Sequence, residues 1–277
     1  MDALVALKAL TAKNLIFVSV SLNGAAGRPF VLDTAASATI VDTRVARDDG
    51  LEPRRTVHSG GAGAETCLLA EIETVTARVG DTTLSPVYSA DLSALGEFTG
   101  IAIDGIAGGD LFSKNAVTID FAAKQVTLSP AGAFKPGPTD VSVALRDSAA
   151  ICCTIDAELR FRSKRLRGRF LVDTGAPAFD VVLAAPFARR HRLRPGPRAA
   201  RAEVPGLCAT SALVPLAGKA RLHLGGLDPI DVTVFASFDR VGMLASGAVD
   251  GLVGGELLRR LDRVVVDVSG RRLVVRR

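Results

Sequence analysis

The chain is short of most residues that build cofactor and nucleic-acid sites. It has no tryptophan, one tyrosine, two methionines, three histidines and four cysteines in 277 residues. The histidines, His58, His191 and His223, are far apart in sequence, and no Cys-x-x-Cys occurs. No zinc-type ligand pattern is present, so no metal and no cofactor are expected. No apolar run reaches about 18 residues, so no membrane span is expected. Met1–Leu10 lacks a basic start and a sustained apolar stretch. No export signal is visible, and a periplasmic or secreted location would need one already removed. The net charge is +5 and the pI about 9.3. The excess is arginine, at Arg189, Arg190, Arg192, Arg198, Arg201, Arg259, Arg260, Arg276 and Arg277. Aromatic residues do not interleave with them, so base stacking is unsupported. They read as a solvated face, and no nucleic-acid partner is expected.

The cysteines are Cys67, Cys152, Cys153 and Cys208. Cys152 and Cys153 are neighbours in a strand-like stretch, where successive side chains point to opposite faces and cannot bond. All four read as buried thiols.

The composition points elsewhere. Hydrophobic residues make up 48%, with 27 glycines and 13 prolines. Stretches with helical period are few. The chain is globular, long enough for a large core, and reads as all-β. Strands are expected at 15–22, 30–33, 38–41, 68–79 and 84–88, with a short helix at 43–49. A hairpin at 116–121 and 125–128 closes the first half. Ser129–Asp140 is rich in Pro and Gly, lacks periodicity and reads as a linker. It divides the chain into lobes of residues 1–135 and 136–277. The second half repeats the order: strands at 151–159, 170–173, 179–183, 220–224 and 230–235, a helix at 186–192, and a hairpin at 264–267 and 272–275.

The repeat is anchored on two acids. Phe170-Leu171-Val172-Asp173-Thr174-Gly175-Ala176 is an apolar run ending in a carboxylate on a tight turn. Phe30-Val31-Leu32-Asp33-Thr34-Ala35-Ala36 has the same layout, 140 residues earlier (173 − 33 = 140). A carboxylate beside a buried strand is costly unless it is paired or hydrogen-bonded. Downstream, Asp104-Gly105-Ile106-Ala107-Gly108-Gly109 is answered by Asp250-Gly251-Leu252-Val253-Gly254-Gly255. Three landmarks in one order outweigh any single motif. Asp33 and Asp173 also suit turns, as Asp before Gly does at 104 and 250. The duplicated context argues against that reading for Asp33 and Asp173, while Asp104 and Asp250 read as structural.

This pattern resembles the aspartic peptidases, most closely the bacterial retropepsin-like domains, with two copies in one chain as in the bilobal pepsin arrangement. The resemblance runs from about Leu15 to Val275. It implies two β-barrel lobes related by a pseudo-twofold axis, with a cleft between them. It implies a monomer that hydrolyses polypeptide by water activated between Asp33 and Asp173, which share one proton. Thr34 and Thr174 would bond across the axis. Gly175 and Ala35 would shape the turns beside the acids. Flaps, with Ser59, Gly60, Gly61 and Ala62 in the first and Pro205 and Gly206 in the second, would close over an extended peptide. Ala35 stands where the family has glycine. That departure supports an alternative: a weakened or inactive relative that binds a peptide or protein in the cleft. Ala36 and Ala176 lack the hydroxyl found there in many pepsin-like enzymes, so the acids should be less easily ionised. Cys67 lies 34 residues after Asp33 and Cys208 lies 35 after Asp173. These near-equivalent places raise a flap-to-flap disulfide, which a Cα–Cα separation above about 7 Å would exclude.

Overall fold

The computed structural model of the chain describes residues 5–8, 10–12, 14–61, 64–73, 75–148, 151–196 and 198–277. Both halves begin from the same three-strand arrangement. In the first, Leu15–Leu22 runs antiparallel to Arg28–Leu32, which lies parallel to Gly105–Ala107. In the second, Ile151–Phe161 runs antiparallel to Lys164–Asp173, which lies parallel to Gly251–Gly254. The acid-bearing strands are buried at Phe30, Leu32, Phe170, Leu171 and Val172. Both are therefore central strands, covered on both faces, and their continuous apolar runs follow from that.

The glycine of each Asp-Gly pair has a specific cause. Gly105 faces Phe30 in register, and Gly251 faces Phe170. A Cβ on Gly105 would stand 2.3 Å from the Phe30 ring and 2.6 Å from the Ile40 carbonyl oxygen. The neighbours are a buried ring and backbone, neither free to give way. Gly105→Ala is expected to destabilise the chain by about 2–3 kcal/mol in denaturant unfolding. A loss below about 0.5 kcal/mol would contradict this packing.

The strands form two sheets. Ten strands, between Leu10–Ala12 and Gly105–Ala107 in chain order, make the sheet of the first lobe. The other carries the second lobe and the hairpins that close both halves. There Asn115–Asp120 pairs antiparallel with Arg263–Asp267, setting Val117 against Val266 and Ile119 against Val264. One apolar cluster runs through both halves, from Ile16, Phe30 and Phe112 to Phe170, Phe187 and Leu257. Burial on this scale, at about 25 cal/mol per Å² of apolar surface, is the main source of stability. The segment 129–140 is itself packed. Phe134 covers Ala116, Val265 and Val274, and the buried Asp140 carboxylate pairs with Arg263.

The secondary structure departs from expectation in definable places. The strand expected at 84–88 is two, Thr82–Leu84 and Val87–Ala90, separated at Ser85 and Pro86. The strand expected at 230–235 divides into Ile230–Asp231 and Val234–Ser237. Between them the Thr233 N–H donates to Asp180 Oδ2 at 2.7 Å instead of to a neighbouring strand. Short helices stand at Ser93–Thr99 and Gly109–Lys114, where none was expected. The expected helices are present as Thr43–Asp48, capped by the Asp42 carboxylate, and Ala185–Arg190.

Candidate active site

Each acid sits on the turn that ends its strand. Asp33 Oδ1 accepts the Ala35 N–H at 2.7 Å and the Ala36 N–H at 3.3 Å. Asp173 Oδ1 accepts the Gly175 N–H at 2.9 Å. The two turns therefore share the bond from the second residue after the acid, although one holds alanine there and the other glycine.

The turns are tied to each other. The Thr34 N–H donates to Thr174 Oγ1 at 3.1 Å, and the Thr174 N–H donates to Thr34 Oγ1 at 3.1 Å. Thr34 Oγ1 donates to the Val172 carbonyl at 2.5 Å, and Thr174 Oγ1 to the Leu32 carbonyl at 2.7 Å. Each hydroxyl thus accepts from one half and donates to it, and both threonines are buried. Four bonds hold the turns in one register; each such bond contributes on the order of 1 kcal/mol. The duplicated Gly-Gly segments brace the floor: the Gly109 N–H donates to the Ala36 carbonyl and the Gly255 N–H to the Ala176 carbonyl, both at 2.8 Å.

The two acids lie close enough across this grip for one to act on the other's charge. A Cβ built on Gly175 would stand 2.5 Å from Asp33 Cγ, so the Asp33 carboxyl lies against the Gly175 backbone. Burial raises the pKa of Asp33, against the lowering effect of the Ala35 and Ala36 N–H groups. Asp173 is 8% exposed and is raised well above the ordinary carboxylate range, first by burial and then by the charge of Asp33. The Gly175 and Ala176 N–H groups offset part of this. Two acids so placed titrate as a pair. Their arrangement can hold one proton and one negative charge side by side.

Asp104 and Asp250 do not join them. Asp104 pairs with Arg44 at 2.7 Å and Asp250 with Arg190 at 2.8 Å, each on the outer side of its lobe. A recess of about 910 Å³ lies beside Asp250, lined by Glu158, Arg160, Arg165, Arg167 and His223, and includes neither Asp33 nor Asp173. Its arginines are largely occupied. Arg165 and Arg160 hold Glu158 down at about 2, and Arg167 bonds the same carboxylate. Much of the basic excess in this half is therefore ion-paired surface.

Two hairpins stand in the expected flap segments. Arg55–Gly61 pairs with Ala64–Ile72 and carries Ser59, Gly60 and Gly61; Ala62 lies outside the described residues. Ala202–Pro205 pairs with Thr210–Leu216, and the Gly206 N–H closes the turn on the Ala209 carbonyl at 2.7 Å. These hairpins correct the reading of four buried thiols. Cys67 and Cys208 form a disulfide with Cα atoms 5.5 Å apart. Cys208 is exposed at the tip of the second hairpin, while Cys153 lies buried outside this bond. The pairing was hidden because it joins the two halves, and residues 141 apart meet only once the hairpins face each other. The near-equal offsets from the two acids, 34 and 35 residues, were the available signal. A cross-link of that span removes about 5 kcal/mol of unfolded-chain freedom in the chain-entropy account. Asn14 was also missed: its side-chain amide donates to the Pro177 carbonyl at 3.2 Å and to Glu256 at 2.7 Å, tying the first half to the second acid loop.

Residues 18–111 match the family model described as aspartyl protease. The fold is similar to that of basic 7S globulin from soybean, with a TM-score of 0.51 over 99% of this chain and 94% of that one. Identity there is 12%, so the likeness establishes the fold alone. No curated protein matches the chain.

Proposed function

We propose that this chain, an aspartic-peptidase superfamily member by its fold and by the family match of residues 18–111, is an endopeptidase whose dyad is Asp33 and Asp173. The observation that carries the reading is the reciprocal Thr34–Thr174 grip, which ties together the two turns that carry the acids. Structural aspartates have no need of such a grip, and an unpaired buried carboxyl is costly. In the singly protonated pair, the ionised carboxylate takes a proton from water as the water attacks the scissile carbonyl carbon. The protonated partner gives its proton to the carbonyl oxygen, forming a neutral tetrahedral diol. Return of a proton to the amide nitrogen then lets the C–N bond break. No covalent bond to the protein forms, and general acid and base action of this kind contributes about 10²–10⁴-fold. The substrate is an extended polypeptide lying under the hairpins.

The rival reading, a peptide-binding relative without catalysis, rests on Ala35. An unfolded casein substrate separates the two. Cleavage is expected from the wild type, and none from Asp33→Asn or in the presence of pepstatin. Equal loss of substrate in wild type and Asp33→Asn would overturn the peptidase reading.

The pH dependence follows from the raised carboxyls. A raised pKa keeps the last proton on the pair to higher pH, so the active, singly protonated form persists further from acid. The rate profile should therefore be a bell displaced toward neutral pH. A maximum near about pH 2, within the range of the gastric dyad, would contradict it.

A further inference from the structure

The second hairpin does not stay on its own lobe. Its strand Ala202–Pro205 packs on the first-lobe helix Ser93–Thr99. Leu207, at its tip, packs against a cluster otherwise built wholly from the first lobe: Leu15, Phe17, Val31, Ile40, Cys67 and Leu69, with Ala36 at its margin. Val31 precedes Asp33 by two residues, and Ala36 donates its N–H to that acid. The cluster that includes Val31, two residues before the first acid, is therefore packed by a leucine from the opposite lobe. The next residue, Cys208, is bonded to Cys67 within this apolar wall.

We propose that Gly206–Ala209 is a tethered plug. Leu207 occupies the wall where an apolar side chain of the substrate would lie, the Cys67–Cys208 bond keeps it there, and reduction by a dithiol releases it. The inference rests on the dyad reading for its location, and it names both a regulator and a side-chain preference. With the hairpins bonded above and the threonine grip below, the lobes are joined on both sides of the space between the acids and the hairpins. The bond therefore opposes opening of that space and keeps the open form a minor one. Cys208 is exposed and Cys67 is 1% exposed, so attack comes at Cys208. A thiolate of the dithiol bonds to Cys208 Sγ and expels the Cys67 sulfur, which takes up a proton. The second thiolate then displaces Cys208, which is protonated in turn. The dithiol leaves as a disulfide, and two electrons and two protons have passed to the protein. The vacated wall is aliphatic and fits a leucine-sized side chain.

A ligand that binds only the unplugged form loses apparent affinity in proportion to how little of that form is present. The test uses a fluorescent octapeptide with a central leucine and a reduced, uncleavable amide bond. Its anisotropy is titrated with oxidised protein and with dithiothreitol-treated protein, in which two additional thiols have been counted. Binding about tenfold tighter after reduction is expected. Leu207→Ser, with the disulfide intact, should tighten binding by about threefold without reductant; it serves as a second arm for a chain that loses its fold when reduced. Equal or weaker binding after reduction, together with no gain in Leu207→Ser, overturns the plug. Casein cleavage by the same samples separates the two proposals. Tighter binding without cleavage in either state removes the peptidase reading and leaves the plug. Equal cleavage in both states removes the plug and leaves the peptidase.

Discussion

Asp173→Asn is expected to lower kcat by about 10³-fold or more while raising the melting temperature near pH 7. The two effects have one origin. In the folded chain the Asp173 carboxyl is raised well above the ordinary range, by burial first and by the charge of Asp33 second. A carboxyl raised on folding binds its proton more tightly in the native state. Its contribution is therefore fully present at low pH and is lost as pH climbs through the folded value. At neutral pH the wild type carries that loss; asparagine, with no charge to bury, does not. The amide oxygen can still accept the Gly175 N–H that the carboxylate now accepts. The gain in melting temperature should shrink as pH falls toward about 4, where the unfolded chain's carboxyl also takes up its proton. Calorimetry across pH 4–8 with parallel casein assays checks both parts. An asparagine variant less stable than wild type at pH 7 would mean that the pair is not strained by its charge. Activity lost together with a gain in stability is the mark of a functional site, because a structural carboxylate would lose stability on replacement.

Much of this is legible in the sequence. The strands at 15–22 and 30–33, the helix after Asp42 and the closing hairpins follow from local pattern, and the halves share that pattern. The resemblance then led to the threonine grip, because Asp-Thr was present twice at the right place. What escaped has physical reasons. Gly109–Lys114 and Ser93–Thr99 span too few turns to show a period, and they lack the start signals, a side-chain cap at Asp42 and a proline at 186, that mark the two short helices that were expected. The run 84–88 looked continuous, but Pro86 has no N–H to give a ladder. The run 230–235 breaks because Asp180, some fifty residues earlier, takes the Thr233 N–H. Leu207 carried no signal, since any leucine in a turn looks alike until the opposite lobe covers it. The disulfide was half visible: the offsets of 34 and 35 residues placed the cysteines alike, but only the facing of the hairpins brought their Cα atoms to 5.5 Å.

Gly175→Ala is expected to reduce cleavage by about 10²-fold or more, whereas Ala35→Gly should change it less than about threefold. The turns look equivalent, so the asymmetry has to come from what each faces. The methyl group added at 175 would stand 2.5 Å from Asp33 Cγ, 2.5 Å from Oδ2 and 2.8 Å from Oδ1. Real side chains do not approach so closely, so something must move. Asp33 cannot retreat cheaply. Its Oδ1 is held by two backbone N–H groups, and its own N–H donates to the Ala107 carbonyl at 3.0 Å. The Gly175 turn is anchored just as firmly through Thr174. The strain therefore falls on the spacing of the two carboxyls, and a displacement of about 1 Å there is enough to cost two orders of magnitude in rate. Ala35 already carries its methyl group on an exposed turn, and its N–H still reaches Asp33 at 2.7 Å, so removing that methyl relieves nothing. The expected result is thus that the feature that made the first acid loop look defective is tolerated, and that the loop with the unbroken Asp-Thr-Gly is the one that cannot change. Steady-state kinetics on both variants, with melting temperatures to exclude unfolding, distinguish the cases. Comparable losses at 35 and 175 would show that the two turns are crowded alike, and full activity in Gly175→Ala would show that the carboxyls do not meet across that glycine.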